Sequence, residues 1–466
     1  MASVSNEDDA KARAEAPVHE SVDTYRQLLR QERLPVDDAL AIHDFTDQGD
    51  EDFPVGPYLD QSWFEKEIAG VWKKTWQFAC REDEVGSPGD YYVYDIVGMS
   101  LIISRGEDGE LRALHNFCQH RGRKLRTENG RASSFRCPFH GWTWSNEGAI
   151  ASLPCRSDFR DMSDEELALP QARIGTWGGF VFVCFDPDEP ALEEFLGSLP
   201  EHFKKWNLEN CYSTAHVRKR IPCNWKVGVE AFIEAYHTLA THPQIAPYTG
   251  DTSTQVDTFE GESFNRMLTP MMVQSGQMED VLEQQAIFDA ITGGVRARPL
   301  QGVKLPEDQT GRSFLAERYR ETMLATTGVD HSTASDADML DVIQYFVFPN
   351  FFPWGGYTQN LVYQFRPDGK RIDSAILDVY LLRRFDPAGE RPRSSPLNIL
   401  GDDEAWASAS ELGGAGPIFD QDMDNMGFVQ EGMEIARATT GTLKFARYHE
   451  ARIRKFHRQL LSACGE

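Results

Sequence analysis

The chain has 466 residues, a formal net charge of −26, and 41% hydrophobic and 11% aromatic residues. This length and composition are typical of a globular protein of two or three domains with a sizeable core. The strongly negative charge argues against nucleic acid as a partner, and no apolar run reaches the ~18 residues of a transmembrane helix. Because the N-terminal stretch is acidic and lacks an apolar segment, we expect no targeting sequence and a cytoplasmic location.

The chain begins with weakly patterned sequence and continues into short strands. Residues 1–50 are acidic, with one helical candidate at Tyr25–Arg33, and we expect a partly flexible extension there. An amphipathic stretch from Phe64 to Phe78 predicts a helix that runs into a strand. Between residues 80 and 186, short β-like runs alternate with turn signals rich in Gly and Pro. This alternation predicts a compact all-β unit.

Beyond Asp186 the pattern changes to longer helical stretches followed by further strands. Helices are predicted at residues 193–206, 224–242, 282–290 and 313–326. Strands are predicted at residues 341–349, 358–367 and 375–385, spaced as in an antiparallel sheet. The end of the chain, residues 444–461, is a basic amphipathic helix that we expect to lie solvated on the surface.

Two cysteine–histidine pairs lie within the predicted all-β unit. Cys118 and His120 form the first pair, and Cys137 and His140 form the second, with sixteen residues between the pairs. Four such side chains can bind one zinc ion in a tetrahedron. They can also bind a [2Fe–2S] cluster, with two thiolates on one iron and two imidazoles on the other. The ligand types alone leave both possibilities open.

The residues around these pairs resemble the paired loops of Rieske proteins. The words CQHRG and CPFHGW carry the resemblance, which implies that Cys118, His120, Cys137 and His140 hold a Rieske [2Fe–2S] cluster. Respiratory Rieske proteins have two additional cysteines that form a disulfide, and here those positions hold Arg123 and Phe139. A tryptophan also follows His140-Gly141 where that branch has serine. The chain is therefore similar to the oxygenase branch of the family.

A second group of polar residues lies in the predicted helix at residues 224–242. Glu230, Glu234 and His237 are spaced to form one stripe along a regular helix. His242 does not continue the stripe, but the following Pro243 disfavours helical geometry at residue 242. We therefore expect the helix to fray there and to bring His242 beside His237. Two histidines and a carboxylate form the facial triad of non-heme iron(II) oxygenases.

The stretch NWKVGVEAFIEAYHTLATH resembles the iron-binding motif of Rieske non-heme iron oxygenase large subunits, E-x3-D-x2-H-x4-H. The resemblance implies that His237 and His242 bind a mononuclear iron(II). In the family the third ligand is an Asp eight positions before a Gln-x-Gly, which selects Asp422 by counting back from Gln430. Asp420 is the alternative. Composition alone cannot identify the third ligand, because residues 420, 422 and 424 are all acidic.

The resemblance also implies the fold and the assembly. We expect an α+β protein in which an all-β Rieske domain is inserted into a helix-grasp-like catalytic domain with an antiparallel sheet. The expected boundaries are 1–50 for the extension, 51–69 for the first part of the catalytic domain, 70–187 for the Rieske domain and 188–466 for the rest. Family members form head-to-tail trimers, in which a carboxylate links a cluster histidine to an iron histidine of the next chain. By position this is Glu234, between His140 and His237, where relatives have the shorter Asp.

The expected partners follow from what the sequence contains. No G-x-G-x-x-G motif and no second cysteine cluster is present, so we expect electrons from a separate NAD(P)H-dependent reductase, with or without a ferredoxin. A β subunit could join the trimer. Six basic residues lie between the cluster ligands against the single acid Glu128, and this collar could steer an acidic electron carrier. The collar residues are Arg121, Arg123, Lys124, Arg126, Arg131 and Arg136.

The substrate is expected to be hydrophobic. Residues 264–272 and the aromatic-rich stretch from Tyr345 to Trp354 could line an apolar cavity. An aromatic or polycyclic compound, as in aromatic hydrocarbon catabolism, is the leading interpretation. A monooxygenase or demethylase acting on a steroid or a quaternary amine is the alternative, since a quaternary amine needs an aromatic cage. A more distant alternative is a non-catalytic Rieske electron-transfer protein.

Overall fold

The computed structural model describes residues 23–294 and 297–466. The first segment contains α1 (Tyr25–Arg30), α2 (Asp38–Ala41), β1 (Phe53–Pro54), α3 (Gly56–Leu59) and α4 (Gln61–Glu67), which a π-turn (Ile68–Trp72) continues. The helix predicted near Tyr25 is confirmed, and it begins at a capping box formed by Thr24 and Gln27. The predicted extension before residue 23 lies outside the described residues.

The predicted all-β unit is confirmed. Its strands are β2 (Gln77–Arg81), β3 (Asp90–Ile96), β4 (Met99–Arg105), β5 (Leu111–His115), β6 (Gly130–Arg131), β7 (Ser134–Arg136), β8 (Thr143–Ser145), β9 (Ile150–Ser152), β10 (Gln171–Trp177) and β11 (Phe180–Cys184). One sheet has the order β2-β11-β10-β5-β4-β3-β6, and a smaller sheet has the order β7-β8-β9. All of their pairings are antiparallel. The two cysteine–histidine pairs lie in loops of this unit.

The remaining residues form an α+β unit around two further sheets. Its helices are α5 (Leu192–Leu196), α6 (Leu199–Phe203), α7 (Trp225–Ala231), α8 (Thr238–Thr241), α9 (Gln284–Gly293), α10 (Gly311–Thr327), α11 (Asp336–Leu340), α12 (Gly416–Ala438) and α13 (Ala451–Cys464). Its strands are β12 (Cys211–Ile221), β13 (Gln255–Asp257), β14 (Phe264–Thr269), β15 (Val342–Val347), β16 (Phe352–Pro353), β17 (Leu361–Pro367), β18 (Ala375–Arg384), β19 (Leu397–Ile399) and β20 (Thr442–Leu443).

The larger of these sheets has the order β16-β17-β18-β12-β19, and the smaller has the order β13-β14-β15. Of the three predicted strands, β17 and β18 pair antiparallel in the larger sheet as expected, whereas β15 lies in the smaller sheet. The short strand β19 runs parallel to β12. The two-residue strands β1 and β20 also pair, so that residues before the all-β unit contact residues near the end of the chain. The all-β unit is thus an insertion in the chain that forms the α+β unit.

The prediction that the C-terminal helix lies solvated on the surface is wrong. In α13, residues 451–457 are all buried, and Arg452 and Arg454 are 0% and 1% exposed. Backbone carbonyls satisfy several of these charges: Arg454 donates to the Glu51 carbonyl at 2.9 Å, and Lys455 donates to the Phe264 carbonyl at 2.8 Å. A basic helical face therefore packs inside the protein because neighbouring chain segments supply the acceptors that water would supply outside.

Glycine at position 228 allows α7 to lie directly on the larger sheet. A β-carbon on Gly228 would come within 2.7 Å of the Phe365 ring on β17. We expect Gly228→Ala to lower the free energy of unfolding by about 1–3 kcal/mol, since overpacking forces the helix away from the strand. Chemical denaturation followed by circular dichroism measures this change.

Gly432 provides the matched control, because it lies inside α12 and a β-carbon there would have no atom within 4 Å. Gly432→Ala should stabilise the protein by up to ~1 kcal/mol, from helix propensity alone. Equal effects of the two substitutions would contradict close packing at Gly228.

Candidate functional site

The two cysteine–histidine loops share one backbone geometry. The Gly122 N–H donates to the Cys118 carbonyl at 2.8 Å, and the Gly141 N–H donates to the Cys137 carbonyl at 3.0 Å. Both glycines have positive φ, 74° and 82°, a conformation that residues with a β-carbon rarely adopt. The first loop thus turns sharply two residues after its histidine and the second loop one residue after its histidine, which places the cysteine and the histidine on the same side.

The four side chains of these loops converge as two like pairs. The Nδ1 atoms of His120 and His140 are 3.1 Å apart. Burial raises the pKa of the Cys118 thiol, and a hydrogen bond with the Cys137 thiol acts in the same direction. Both cysteines are buried, His120 is half-buried and His140 is exposed. Pairing of thiol with thiol and imidazole with imidazole fits a two-iron cluster better than a single tetrahedral zinc.

The histidine side of this site carries an aromatic surface. His120 stacks on Trp142, with ring centroids 5.3 Å apart and planes within 1° of parallel. Phe139, which occupies a position that is cysteine in respiratory Rieske proteins, is 57% exposed and lies against His140. Both histidines are therefore held among rings, and His140 faces outward beside an exposed apolar side chain.

The predicted continuous helix at residues 224–242 is interrupted, so the predicted stripe of Glu230, Glu234 and His237 is wrong. α7 ends at Ala231, and α8 covers only residues 238–241. Glu234 lies between the two helices, where its carboxylate accepts hydrogen bonds from the Tyr236 N–H and, at 3.1 Å, from the His237 N–H. These bonds satisfy backbone donors that would otherwise belong to a continuous helix, and they stabilise the break.

His237 and His242 lie at the two ends of α8, and a distant carboxylate meets both. The Asp422 Oδ1 is 2.9 Å from the His242 Nε2 and 3.6 Å from the His237 Nε2. Donor atoms of the three side chains lie within 4.8 Å of one another. His242 has φ −124° and ψ 55°, outside the helical region, as expected for a residue before Pro243. The three donors match the facial two-histidine, one-carboxylate set that suits iron(II).

Hydrogen bonds to the other imidazole nitrogens orient both rings. The His237 Nδ1 contacts the Glu234 carboxylate, and the His242 Nδ1 lies 2.9 Å from the Gln421 Oε1. Although burial disfavours the charged imidazolium, the Glu234 carboxylate raises the pKa of His237 to about 9. Both Nε2 atoms therefore point towards Asp422. Sequence analysis missed Gln421, whose only signal is its position directly before Asp422 on the same helix.

The structure separates the acidic candidates on α12. Asp420 accepts hydrogen bonds from the Trp406 and Ala407 N–H groups at 2.6 and 3.0 Å, and so caps a short turn. Asp424 is exposed. Asp422 is the acid that faces the two histidines, which favours it over Asp420 as the third ligand.

Glu230 lies in a buried cluster and not on the polar stripe with Glu234 and His237 that its spacing predicted. It accepts a hydrogen bond from the Tyr58 hydroxyl at 2.7 Å, and the His457 Nε2 lies 2.7 Å from the same oxygen. Burial raises the pKa of Tyr58 well above its ordinary value, and the Glu230 charge adds to this effect. This buried cluster joins α3, α7 and α13 and so fixes the helix that leads to Glu234.

A cluster of buried aromatic side chains joins α7 and β17 to α12, the helix that carries Asp422. Tyr363 packs against Trp354, Phe232 and Phe419, with ring centroids 5.9, 5.1 and 5.8 Å apart. Phe232 follows α7 directly, and Phe419 precedes Asp422 by one helical turn. The predicted aromatic stretch thus contributes Trp354 to a buried apolar wall that reaches α12 one turn before Asp422.

The basic collar is partly neutralised. Lys124 forms an ion pair with Asp95 at 2.7 Å, and Arg131 lies 3.8 Å from Asp90. Arg126 donates to the Ser134 carbonyl. The exposed arginines that remain are Arg121, Arg123 and Arg136. The positive surface around the cluster loops is therefore smaller than the sequence count indicates.

Comparison with known families places the two sites in two matching regions. Residues 75–170 match the Rieske [2Fe-2S] domain, and residues 201–466 match the ring hydroxylating alpha subunit catalytic domain. Across the described residues, no helix is long and apolar enough to cross a membrane.

Two curated relatives are similar over part of their length. The glycine betaine monooxygenase oxygenase subunit of Pseudomonas aeruginosa (strain UCBPP-PA14) is 30% identical over 191 residues, which cover 40% of this chain and 44% of the relative. The large oxygenase component of the naphthalene 1,2-dioxygenase system of Pseudomonas fluorescens is 31% identical over 196 residues, 39% and 42% of the two chains. The similar region thus spans less than half of these relatives.

A solved structure is similar over nearly its whole length. The apo form of the quaternary ammonium Rieske monooxygenase CntA superposes with a TM-score of 0.61 at 17% identity, and the match covers 91% of this chain and 99% of that one. At this identity the similarity establishes the fold.

Substitution of the three acids on α12 tests the third ligand. We expect Asp422→Asn to lower the iron content from about three to about two atoms per chain, because a neutral amide binds iron(II) weakly while the cluster keeps its own ligands. Colorimetric iron analysis measures the content, and the visible absorption of the cluster reports its retention.

The controls are Asp424→Asn and Asp420→Asn, which should both retain all the iron. Asp420→Asn should also lose ~1 kcal/mol of stability with its capping bonds. An Asp422→Asn protein with unchanged iron content, or an Asp420→Asn protein that loses one iron, would contradict the assignment.

Proposed function

The chain belongs to the ring-hydroxylating alpha subunit family, and on this premise we propose that it is the terminal oxygenase component of a Rieske system. It is an oxidoreductase whose cofactors are a Rieske [2Fe–2S] cluster and a mononuclear non-heme iron. The proposed reaction inserts oxygen from O2 into a hydrophobic, aromatic or polycyclic substrate. The observation that supports it is the convergence of His237, His242 and Asp422, whose donor atoms lie within 4.8 Å of one another.

The proposed roles of the side chains follow from their contacts. When bound, the cluster delivers single electrons and the mononuclear iron activates O2. Cys118, His120, Cys137 and His140 would hold the cluster; His237, His242 and Asp422 would hold the iron. Three donors on one face leave room for O2 and substrate opposite them. The aromatic wall would exclude water and position an apolar substrate.

Glu234 is proposed to connect the two metal sites across a subunit boundary. Its carboxylate already contacts the His237 Nδ1, and each carboxylate oxygen has more than one acceptor site. His140 is exposed beside Phe139 and so is available to a neighbouring chain. We propose a head-to-tail homotrimer in which Glu234 bridges His237 and the His140 of the adjacent subunit. The side chain, longer by one methylene than Asp, reaches this position from the break between α7 and α8.

The electron donor is proposed to be a separate reductase, with or without a ferredoxin. An acidic carrier would dock near the cluster loops, where Arg121, Arg123 and Arg136 are exposed. Electrostatic attraction of this kind raises association rates at low ionic strength.

A quaternary amine is the second candidate substrate. The relatives named above include a glycine betaine monooxygenase and a quaternary ammonium monooxygenase. Trp354, Tyr363, Phe232 and Phe419 form an aromatic cluster that reaches the helix of Asp422, and aromatic faces attract a quaternary ammonium by cation–π interaction. This candidate predicts monooxygenation with loss of a methyl group as aldehyde.

A single turnover of chemically reduced protein under ¹⁸O2 tests the activity. The panel contains polycyclic aromatics, steroids and quaternary amines, and mass spectrometry counts the labelled oxygens in each product. Two labelled atoms in an aromatic product are expected for the leading proposal, and one atom or a demethylated product for the alternative. Asp422→Asn is the negative control. Absence of label from every product of fully loaded protein would contradict both.

Mixed oligomers test the proposed path between chains. His140→Ala should disable the cluster and Asp422→Asn the iron, so that each variant alone is inactive. In randomly mixed trimers, about one quarter of the sites should pair an intact cluster with an intact neighbouring iron. Turnover should recover to about that fraction of wild type. Inactive trimers that contain both variants, with each retaining its unmutated metal site, would contradict transfer between chains.

A further inference from the structure

Arg452 is a fully buried arginine whose contacts are with neutral groups. It is 0% exposed, its Nε donates to the Asn265 Oδ1 at 2.6 Å, and its Nη1 donates to the Gln344 Oε1 at 2.9 Å. Within residues 23–294 and 297–466, its Nη2 has no hydrogen-bond partner. Burial lowers the pKa of Arg452 below its ordinary range, and the carboxylates of Asp257 and Glu234 oppose this only through space.

Other buried arginines of the same unit have a carboxylate in contact. Arg266 lies 2.6 Å from Asp257, and Arg312 lies 2.6 Å from Asp341. A buried charge without a counterion is strongly unfavourable, because the charge loses its hydration and gains no opposite charge in return. Unlike these two arginines, Arg452 has no carboxylate in contact among the described residues, so its charge is not balanced by a neighbouring side chain.

Two further buried donors near Arg452 also lack partners in the described part of the chain. They are the Asn265 Nδ2 and the Trp354 Nε1. In the pairing of β14 with β15, Met267 lies opposite Gln344, and an isolated bridge pairs Gln344 with Trp354. Residues 265 and 267 point to the same face of β14 because strand side chains alternate. Asn265, Gln344 and Trp354 thus share one face, and Arg452 contacts the first two.

Ring contacts link that face to the helix that carries Asp422. Trp354 packs on Tyr363, which packs on Phe419, one turn before Asp422. At the start of α13, His449 stacks on Tyr236, the residue before His237, with ring centroids 6.0 Å apart. Trp354, one of the unpaired donors, thus belongs to the aromatic wall, and the segment before α13 packs against the residue that precedes His237.

We propose that Arg452, Asn265 and Trp354 bind a carboxylate group of the substrate. The substrate class, which rests on the proposed function, is then an organic acid with an apolar body. A carboxylate offers two oxygens with about four acceptor sites, enough for the guanidinium, amide and indole N–H groups together. Its charge would supply the counterion that Arg452 lacks. The apolar body would extend along the aromatic wall towards His237, His242 and Asp422.

Benzoate and benzamide are the probes, because they have nearly the same shape and differ in charge. Thermal unfolding of the holoenzyme is measured with increasing amounts of each, without reductant. We expect benzoate to raise the Tm in a saturable manner and benzamide to have little effect, since a ligand stabilises the state that binds it. Equal shifts from the two compounds, or none from benzoate, would overturn the proposal.

Substitutions at the donors locate the binding site. Asn265→Asp places a carboxylate against Arg452, so we expect a higher Tm without ligand and at least tenfold weaker binding of benzoate. Trp354→Phe keeps the ring contact with Tyr363 and removes one donor, and we expect roughly fivefold weaker binding. Trp72→Phe is the matched control: its Nε1 is also buried and unpaired, but the ring packs on Trp225 in the core.

Benzoate binding that is unchanged in both Asn265→Asp and Trp354→Phe would overturn the proposal and place the ligand elsewhere, for example on the metal. If Asn265→Asp does not fold, benzoate binding by Trp354→Phe is compared with benzoate binding by Trp72→Phe. Equal binding by these two variants would overturn the proposal. Failure of the proposed function would appear separately, as absence of ¹⁸O from all products. In that case benzoate would still raise the Tm of the wild-type protein and would not raise the Tm of Asn265→Asp.

Discussion

The candidate iron site depends on the orientation of two imidazole rings. Each ring must present its Nε2 to the same point, and this requires a hydrogen bond that fixes its Nδ1. Glu234 provides that bond for His237, and Gln421 provides it for His242. Because Glu234 also accepts backbone N–H groups in the break between α7 and α8, the local chain geometry and the ring orientation have a single cause. The longer side chain of Glu is compatible with both tasks.

The buried C-terminal helix supports this geometry from behind. His457 and Tyr58 hold Glu230 at the end of α7, and Lys455 donates to the Phe264 carbonyl of β14. α13 therefore connects the helix that leads to Glu234 with the sheet that carries Asn265 and Gln344. Most donors of its buried charged residues have specific acceptors inside the protein, whereas the Arg452 Nη2 and the Arg454 Nε have none among the described residues. The same helix thus contributes to stability and to the proposed recognition of a substrate carboxylate.

Much of the fold and the candidate metal-binding residues could be predicted from the sequence because their signals are local. The spacing of Cys118, His120, Cys137 and His140 and the alternating short strands are properties of contiguous segments. The meeting of His237 and His242 was expected from Pro243 alone. The break after α7 could not be predicted, since Glu234 favours it through its own hydrogen bonds against a regular helical pattern. Gln421 and the burial of α13 depend on contacts between segments roughly 180 to 400 residues apart, which no local pattern records.

Electron transfer through Glu234 is the central claim, and the oxidation rate of the reduced cluster tests it most directly. Stopped-flow absorbance follows this rate after fully reduced protein is mixed with O2 and a substrate that it oxidises. Glu234→Gln keeps the side-chain length and a donor–acceptor amide but removes the charge. We predict that it retains the full iron content and the visible spectrum of the cluster, while cluster oxidation slows by about 100-fold or more, since a misplaced reacting group can cost that much. A Glu234→Gln protein that is fully loaded and oxidises its cluster at the wild-type rate would contradict the account.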